Sequence, residues 1–146
     1  MEIINFNKEF VERTKWIVEN ISCQYEITLL LNCMLALVSL PIEKTKTDGN
    51  SSEFRRKCVE KLSELGVIEE SASHKRIFRA VKNALSHMYI EPVSQNQEII
   101  SINIWDKLPS AEESHTRLKF SVSQLKEFAL YVADLHLERL NEGSGD

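Results

Sequence analysis

Apolar residues recur at helical spacing along most of the chain and switch to alternation in one region, between Glu98 and Phe120. Near the start, Asn5 or Asn7 can cap a helix in which Phe6, Phe10, Ile17 and Ile21 share a face, with Lys8, Glu9, Glu12, Arg13 and Lys15 mostly elsewhere. That pattern predicts an amphipathic surface helix reaching about Ile21. Tyr25 to Leu40 is apolar nearly all round, which predicts a central, buried helix closed by Pro41. Thr28, Asn32, Ala36 and Ser39 fall close together on its wheel, a stripe small enough to let another helix approach. An amide at position 32 in such a contact needs a hydrogen-bond partner across it. Asn32 is then either a satisfied core amide or a support for a functional helix further on.

Lys44 to Ser52 is polar and contains an Asp-Gly-Asn turn, so it reads as an exposed loop. Ser51 or Ser52 caps a third helix with Phe54, Cys58, Leu62 and Leu65 on its stripe, and Gly66 suits a left-handed C-cap before Val67 and Ile68. Ser71 or Ser73 starts a fourth helix with an apolar stripe of Ile77, Val81, Ala84 or Leu85, and Met88, and Pro92 ends that helix or the turn after it. After a polar loop at residues 94–97 the period becomes two. Ile100, Ile102 and Ile104 fall on one side of a first strand, a turn follows at residues 106–110, and Leu118 and Phe120 point inward from a second. A lone hairpin is marginal, so its apolar face must pack on the helices.

Ser121 to Gln124 has the pattern of a capping box, with Phe120 and Leu125 in the staple positions, and it opens a last helix to about Leu140 carrying Leu125, Phe128, Ala129, Val132 and Leu135 on one face. The expected fold is mainly α: a bundle of about five helices with a β-hairpin before the last one, in one domain spanning residues 1–140, with 141–146 a disordered tail.

Composition narrows the picture. A chain of 146 residues is one domain in size and long enough to bury a core without disulfides or a structural metal. The net charge of −4 means that any nucleic-acid binding must use a local patch. Cys23, Cys33 and Cys58 form no CxxC pair and read as small buried thiols in a reducing cytosol. The N-terminus lacks the basic flank and apolar run of a signal peptide, and Ile27 to Leu40 is too short to span a bilayer. The expectation is a soluble, cytoplasmic protein with no membrane partner.

The usual phosphate-binding, metalloprotease and nucleophile-elbow motifs are absent, and the histidines are not spaced as a metal cluster. His74, His115 and His136 read as ordinary surface or core histidines. The fourth helix differs: its polar side carries Lys75, Arg76, Arg79, Lys82, Asn83, Ser86 and His87, with no acidic residue from Ser71 to Ile90. From the residues alone this is either a solvated basic face ending in a histidine or a phosphate-handling site.

Lys82-Asn83-Ala84-Leu85-Ser86-His87 resembles the RNxxxH signature of the HEPN-domain family, with lysine where the motif has arginine. The order of elements around it, a nearly all-apolar second helix, the signature helix, a hairpin and a last amphipathic helix, resembles the plasmid-encoded HEPN-nuclease branch. The resemblance implies a compact helical dimer acting as a metal-independent endoribonuclease, in a toxin–antitoxin or antiviral defence setting, with no cofactor and no metal. Its implied partners are RNA, a second copy of the chain, and an antitoxin or other protein. On this reading His87 moves protons, Lys82 binds phosphate, Asn83 orients His87 or contacts ribose, and Arg79, Ser86, Lys75 and Arg76 assist binding, with Asn32 in support. The arginine-to-lysine departure replaces a planar fork by a point charge. It keeps open a non-catalytic HEPN-like dimer that binds RNA, nucleotide or protein through the same cleft, and beyond that a purely structural dimerisation domain.

Overall fold

The computed structural model describes residues 3–20, 26–44, 51–70, 74–106 and 116–143. Five helices and four strands follow in the order α1 (Ile3–Asn20), α2 (Glu26–Lys44), α3 (Ser51–Leu65), β1 (Ile68–Glu70), α4 (His74–His87), β2 (Ile90–Gln95), β3 (Glu98–Asp106), β4 (Thr116–Ser121) and α5 (Val122–Gly143). The fold is mainly α, as the periodicity predicts. The expected loop at 44–52 beyond Lys44 and before Ser51, the turn at 107–110, the caps at Ser71 and Ser73, Cys23, His115 and the last three residues lie outside the described residues.

α5 is the element against which the others assemble, packing on α1, α2, α3 and the inner face of β3 and β4. The capping box forms as expected. The Ser121 backbone N–H donates to Gln124 Oε1 at 2.9 Å, and the Gln124 N–H donates to Ser121 Oγ at 3.1 Å. Phe120 and Leu125 are both buried at the staple positions. Gln124 also donates its amide to the Leu65 carbonyl at 3.0 Å, so one residue starts α5 and satisfies the end of α3.

Two helices depart from the expected pattern. On α1 the buried positions are Val11, Thr14 and Val18, whereas Ile17 is exposed. Thr14 is tolerated inside because its hydroxyl donates to the Phe10 carbonyl at 2.8 Å. On α2 the core side is Leu30, Cys33, Met34, Leu37 and Val38, while Thr28, Leu29 and Asn32 are exposed. Among the described residues, no helix therefore covers Thr28 and Asn32 of the small-residue stripe, and Asn32 is a solvated amide rather than a buried one.

α2 also continues through Pro41 to Lys44 instead of stopping before it. Proline has no N–H, so the carbonyl four residues back, that of Leu37, loses its helical donor. The buried His136 ring of α5 supplies one: Nε2 lies 2.7 Å from the Leu37 oxygen. A carbonyl only accepts, so Nε2 carries the proton. The imidazole stacks on Phe54 of α3, with ring centroids 4.5 Å apart, joining three helices at one point.

The sheet is wider than the expected hairpin. Its strands are all antiparallel in the order β1-β4-β3-β2. The predicted pair is β3–β4; β1 and β2 are added at the edges. β2 tolerates Pro92 because an edge strand need not donate from every position. Its hairpin to β3 turns at Asn96 and Gln97, both with positive φ. The register slips between Val93 and Ser94, which pair with Ser101 and Ile99, so Ile100 is left in a bulge and exposed while Ile102 and Ile104 are buried.

Gly66 ends α3 as the spacing predicts. Its φ is 71°, its N–H reaches the Ser63 carbonyl at 3.1 Å, and the Val67 N–H reaches the Leu62 carbonyl at 3.4 Å, the two bonds of a Schellman turn. Cys33 and Cys58 are buried, free thiols, and burial pushes Cys58 up to about 12. No helix among the described residues is long and apolar enough to cross a membrane.

Burial holds His136 down at about 4, below its ordinary 6.5; the bond to Leu37 opposes this and the Arg139 charge adds to it. The unfolded chain therefore binds a proton that the folded one refuses. The stabilisation is complete above pH 6.5 and is lost as pH falls to about 4. The shift corresponds to on the order of 3 kcal/mol. Urea denaturation across this range is expected to show that slope. In His136→Phe the slope disappears, and stability at neutral pH drops by about 1–3 kcal/mol because the Leu37 carbonyl is left without a donor.

Candidate functional site

α4 is divided sharply between two sides. Ile77, Phe78, Ala80, Val81, Ala84 and Leu85 are buried against α2, α3 and the sheet. The remaining positions from 79 onward, Arg79, Lys82, Asn83, Ser86 and His87, form one outward arc, with Lys82 and Asn83 half-buried and the other three exposed. Lys82 and His87 mark its edges, about 140° apart on an ideal helix, with the others between them. Four-residue steps connect Arg79 to Asn83 and Asn83 to His87, so a cation, an amide and an imidazole follow one another up the helix. Lys75 and Arg76 belong to the first turn of α4, but their side chains lie outside the described part.

Among the described residues, charge on this arc is uncompensated. None of Arg79, Lys82 and His87 forms an ion pair or a side-chain hydrogen bond with another described residue, whereas Lys15, Lys57 and Lys61 elsewhere are each matched by a carboxylate. Among the described residues, an anion approaching α4 therefore meets cations with no internal pair to break first. Asn32 is exposed on α2, which packs beside α4. His136, an ordinary histidine by sequence, is fully engaged in the core and far from solvent. Among the described residues, no group of three or more His, Cys, Asp or Glu could hold a metal ion.

The end of α4 positions residues that sequence reasoning missed. Met88, expected to extend the apolar stripe, instead takes a left-handed conformation with φ 58° and is exposed. The Tyr89 N–H donates back to the Ala84 carbonyl at 2.9 Å, as in a Schellman turn. The chain thereby leaves the helix and enters β2 in two residues. Tyr89 emerges beside His87, their ring centroids 5.7 Å apart and 30° from parallel. Trp105 of β3 continues the row, 6.5 Å from Tyr89 at 20°. A backbone bond from the Trp105 N–H to the Tyr89 carbonyl, at 3.3 Å, holds the two positions side by side.

Trp105 lies on the opposite face of β3 from the buried Ile102 and Ile104, and its register partner on β4 is the exposed Arg117. The alternation in the sequence already assigns Trp105 to that face. What the sequence does not reveal is that β2 brings Tyr89 next to it.

A protein-family model described as HEPN pEK499 p136 matches residues 1–142. No curated protein and no solved structure matches the chain.

The Met88 turn also makes a stability prediction. A non-glycine residue in the left-handed region costs about 1–2 kcal/mol. At 70% exposure the Met88 side chain contributes little burial to offset that. Met88→Gly is expected to raise stability by up to about 1 kcal/mol in urea denaturation, with the His87–Tyr89–Trp105 row unchanged. A loss of stability would show that the methionine side chain contributes more than its exposure indicates.

Proposed function

The chain belongs to the HEPN family, in the plasmid-encoded branch that the matching model describes, and from that premise we propose that it is an endoribonuclease using the outward arc of α4. Family membership supports a nuclease or RNA-binding role in general. The observation that carries the finer reading is the convergence of Arg79, Lys82, Asn83, Ser86 and His87 on one solvent-facing arc, with the cations unpaired among described residues.

The reaction requires few parts. The ribose 2′-oxygen attacks the adjacent phosphorus and the bond to the 5′-oxygen breaks, leaving a 2′,3′-cyclic phosphate and a 5′-hydroxyl. One proton leaves the 2′-hydroxyl and one reaches the departing 5′-oxygen. An imidazole can take up a proton at one ring nitrogen and release one from the other, so His87 acts as general base or acid. Lys82, with Arg79 one turn earlier, stabilises the charge that builds on the phosphate oxygens. Asn83 orients His87 or contacts the ribose, Ser86 assists, and Lys75 and Arg76 extend phosphate binding toward the helix start.

The outward arc of one α4 carries one imidazole, that of His87, whereas the reaction moves two protons. A two-fold dimer with its α4 helices facing would supply a second His87 and close the distance between Lys82 and the histidine. The exposed Thr28, Leu29 and Asn32 on neighbouring α2 are suited to the border of such a contact, with Asn32 as a supporting amide. A role as the toxin of a toxin–antitoxin pair, or in antiviral defence, fits an RNA-cutting activity that a partner protein must restrain. A cytoplasmic location fits an RNA substrate.

Lys82 favours a second reading. Lysine grips phosphate as a point charge, without the bidentate fork of the motif arginine, and a site so altered can retain RNA binding without cleavage.

RNA cleavage in the presence of EDTA separates the two. For the nuclease, wild-type protein cuts, His87→Ala cuts at least about a hundredfold more slowly, and Lys82→Arg cuts faster. For the binding module, neither wild type nor His87→Ala cuts, and RNA binding is salt-sensitive and weakened by Lys82→Ala.

A further inference from the structure

We infer that the row His87–Tyr89–Trp105 is a stacking platform for unpaired nucleobases, so that the RNA taken at α4 is single-stranded where it crosses the sheet. This rests on the RNA-directed reading above and adds the residues that would contact the bases. The row begins at the imidazole assigned to proton transfer and leads away from it without interruption: 5.7 Å to Tyr89, then 6.5 Å to Trp105, with successive rings 30° and 20° from parallel. Tyr89 and Trp105 are half-buried, Tyr89 against the core, and His87 is exposed, so each ring of the row keeps contact with solvent.

Their surroundings favour nucleotides over a general apolar ligand. The next register position beyond Trp105 is Arg117, and Lys119 follows two residues along the same strand; both are exposed. With Arg79 and Lys82 at the other end, cations flank the row on both sides. Successive bases stacked on aromatic rings with phosphates held by nearby Arg and Lys is how single strands are commonly bound. A duplex cannot use such a surface, because its base faces are already covered by neighbouring base pairs.

The same face carries opposing charge. Glu91 of β2, two residues beyond Tyr89 and in register with Asn103 on the Trp105 face of β3, is exposed. Charge on this face is therefore mixed, so net charge alone does not select RNA there and base contact contributes to the selectivity. The bland alternative, that the rings only fasten the end of α4 to the sheet, makes the opposite prediction about bases.

The test uses a single-stranded 2′-O-methyl oligonucleotide, which lacks the attacking hydroxyl and stays intact. The chain has two tryptophans, so Trp16→Phe leaves Trp105 as the sole indole emitter; Trp16 is 65% exposed and away from the row. Trp105 emission is expected to be quenched by the single strand, and not by a duplex or by an abasic strand of equal charge. Tyr89→Leu and Trp105→Leu each weaken single-strand binding about tenfold, and Tyr89→Phe restores it. Equal binding of abasic and base-bearing strands, unaltered Trp105 emission, or no binding at all overturns the platform. Failure here is distinct from failure of the nuclease reading. If His87-dependent cleavage persists undiminished in both leucine variants, the platform falls and the nuclease stands. If ring-dependent binding occurs without cleavage, the platform stands and the nuclease falls.

Discussion

One carbonyl without a helical donor organises the interior. Pro41 removes the N–H that would have satisfied Leu37, and a buried unpaired carbonyl costs about 1–3 kcal/mol. His136 resolves it by donating from Nε2 at 2.7 Å, which requires the neutral ring, inside the core and stacked on Phe54. That contact fixes α5 against α2 and α3 in rotation as well as distance, since an imidazole N–H is directional where apolar packing is not. α5 then presents its other sides to α1 and to β3 and β4. The burial that makes the bond strong is also what makes the fold sensitive to acid.

Two left-handed turns convert this helical frame into a mixed one. Gly66 and Met88 each stop a helix and send the chain directly into a strand, β1 and β2 respectively. The Lys119 N–H to Val67 carbonyl bond, at 2.8 Å, ties the first of these exits to β4. Glycine adopts such a turn without steric cost; methionine does not. The strained position is the one that sets His87 beside Tyr89. The local geometry of the candidate site thus depends on a conformation that the residue at its hinge disfavours.

The outward arc of α4 and the ring row differ in how they arise. The arc follows from helix periodicity: once the apolar residues of α4 face the core, Arg79, Lys82, Asn83, Ser86 and His87 have no other place to go. The ring row is a product of strand pairing, joining residues from a helix end, the start of one strand and the far end of another. A function built on both would read phosphate through the helix and bases through the sheet.

The helices, the capping box at Ser121 and Gln124, the Gly66 stop, the β3–β4 pair and the cationic arc were legible in the sequence because each is encoded by spacing within a few residues. What was not legible depends on partners distant in the chain. Ile17 and Asn32 face solvent because α1 and α2 are rotated by what they pack against, and an all-round apolar helix carries no periodic signal to say which side is covered. β1 is too short, and β2 too polar and proline-bearing, to announce themselves as strands; they exist because β4 and β3 offer them edges. His136 reads as an ordinary histidine until Pro41, far away in sequence, leaves it a carbonyl to bond. Short-range spacing determined which residues form helices and which face of α4 is polar. Only the tertiary structure decided which groups meet, because hydrogen bonds, stacking and strand registers join residues whose separation along the chain carries no pattern.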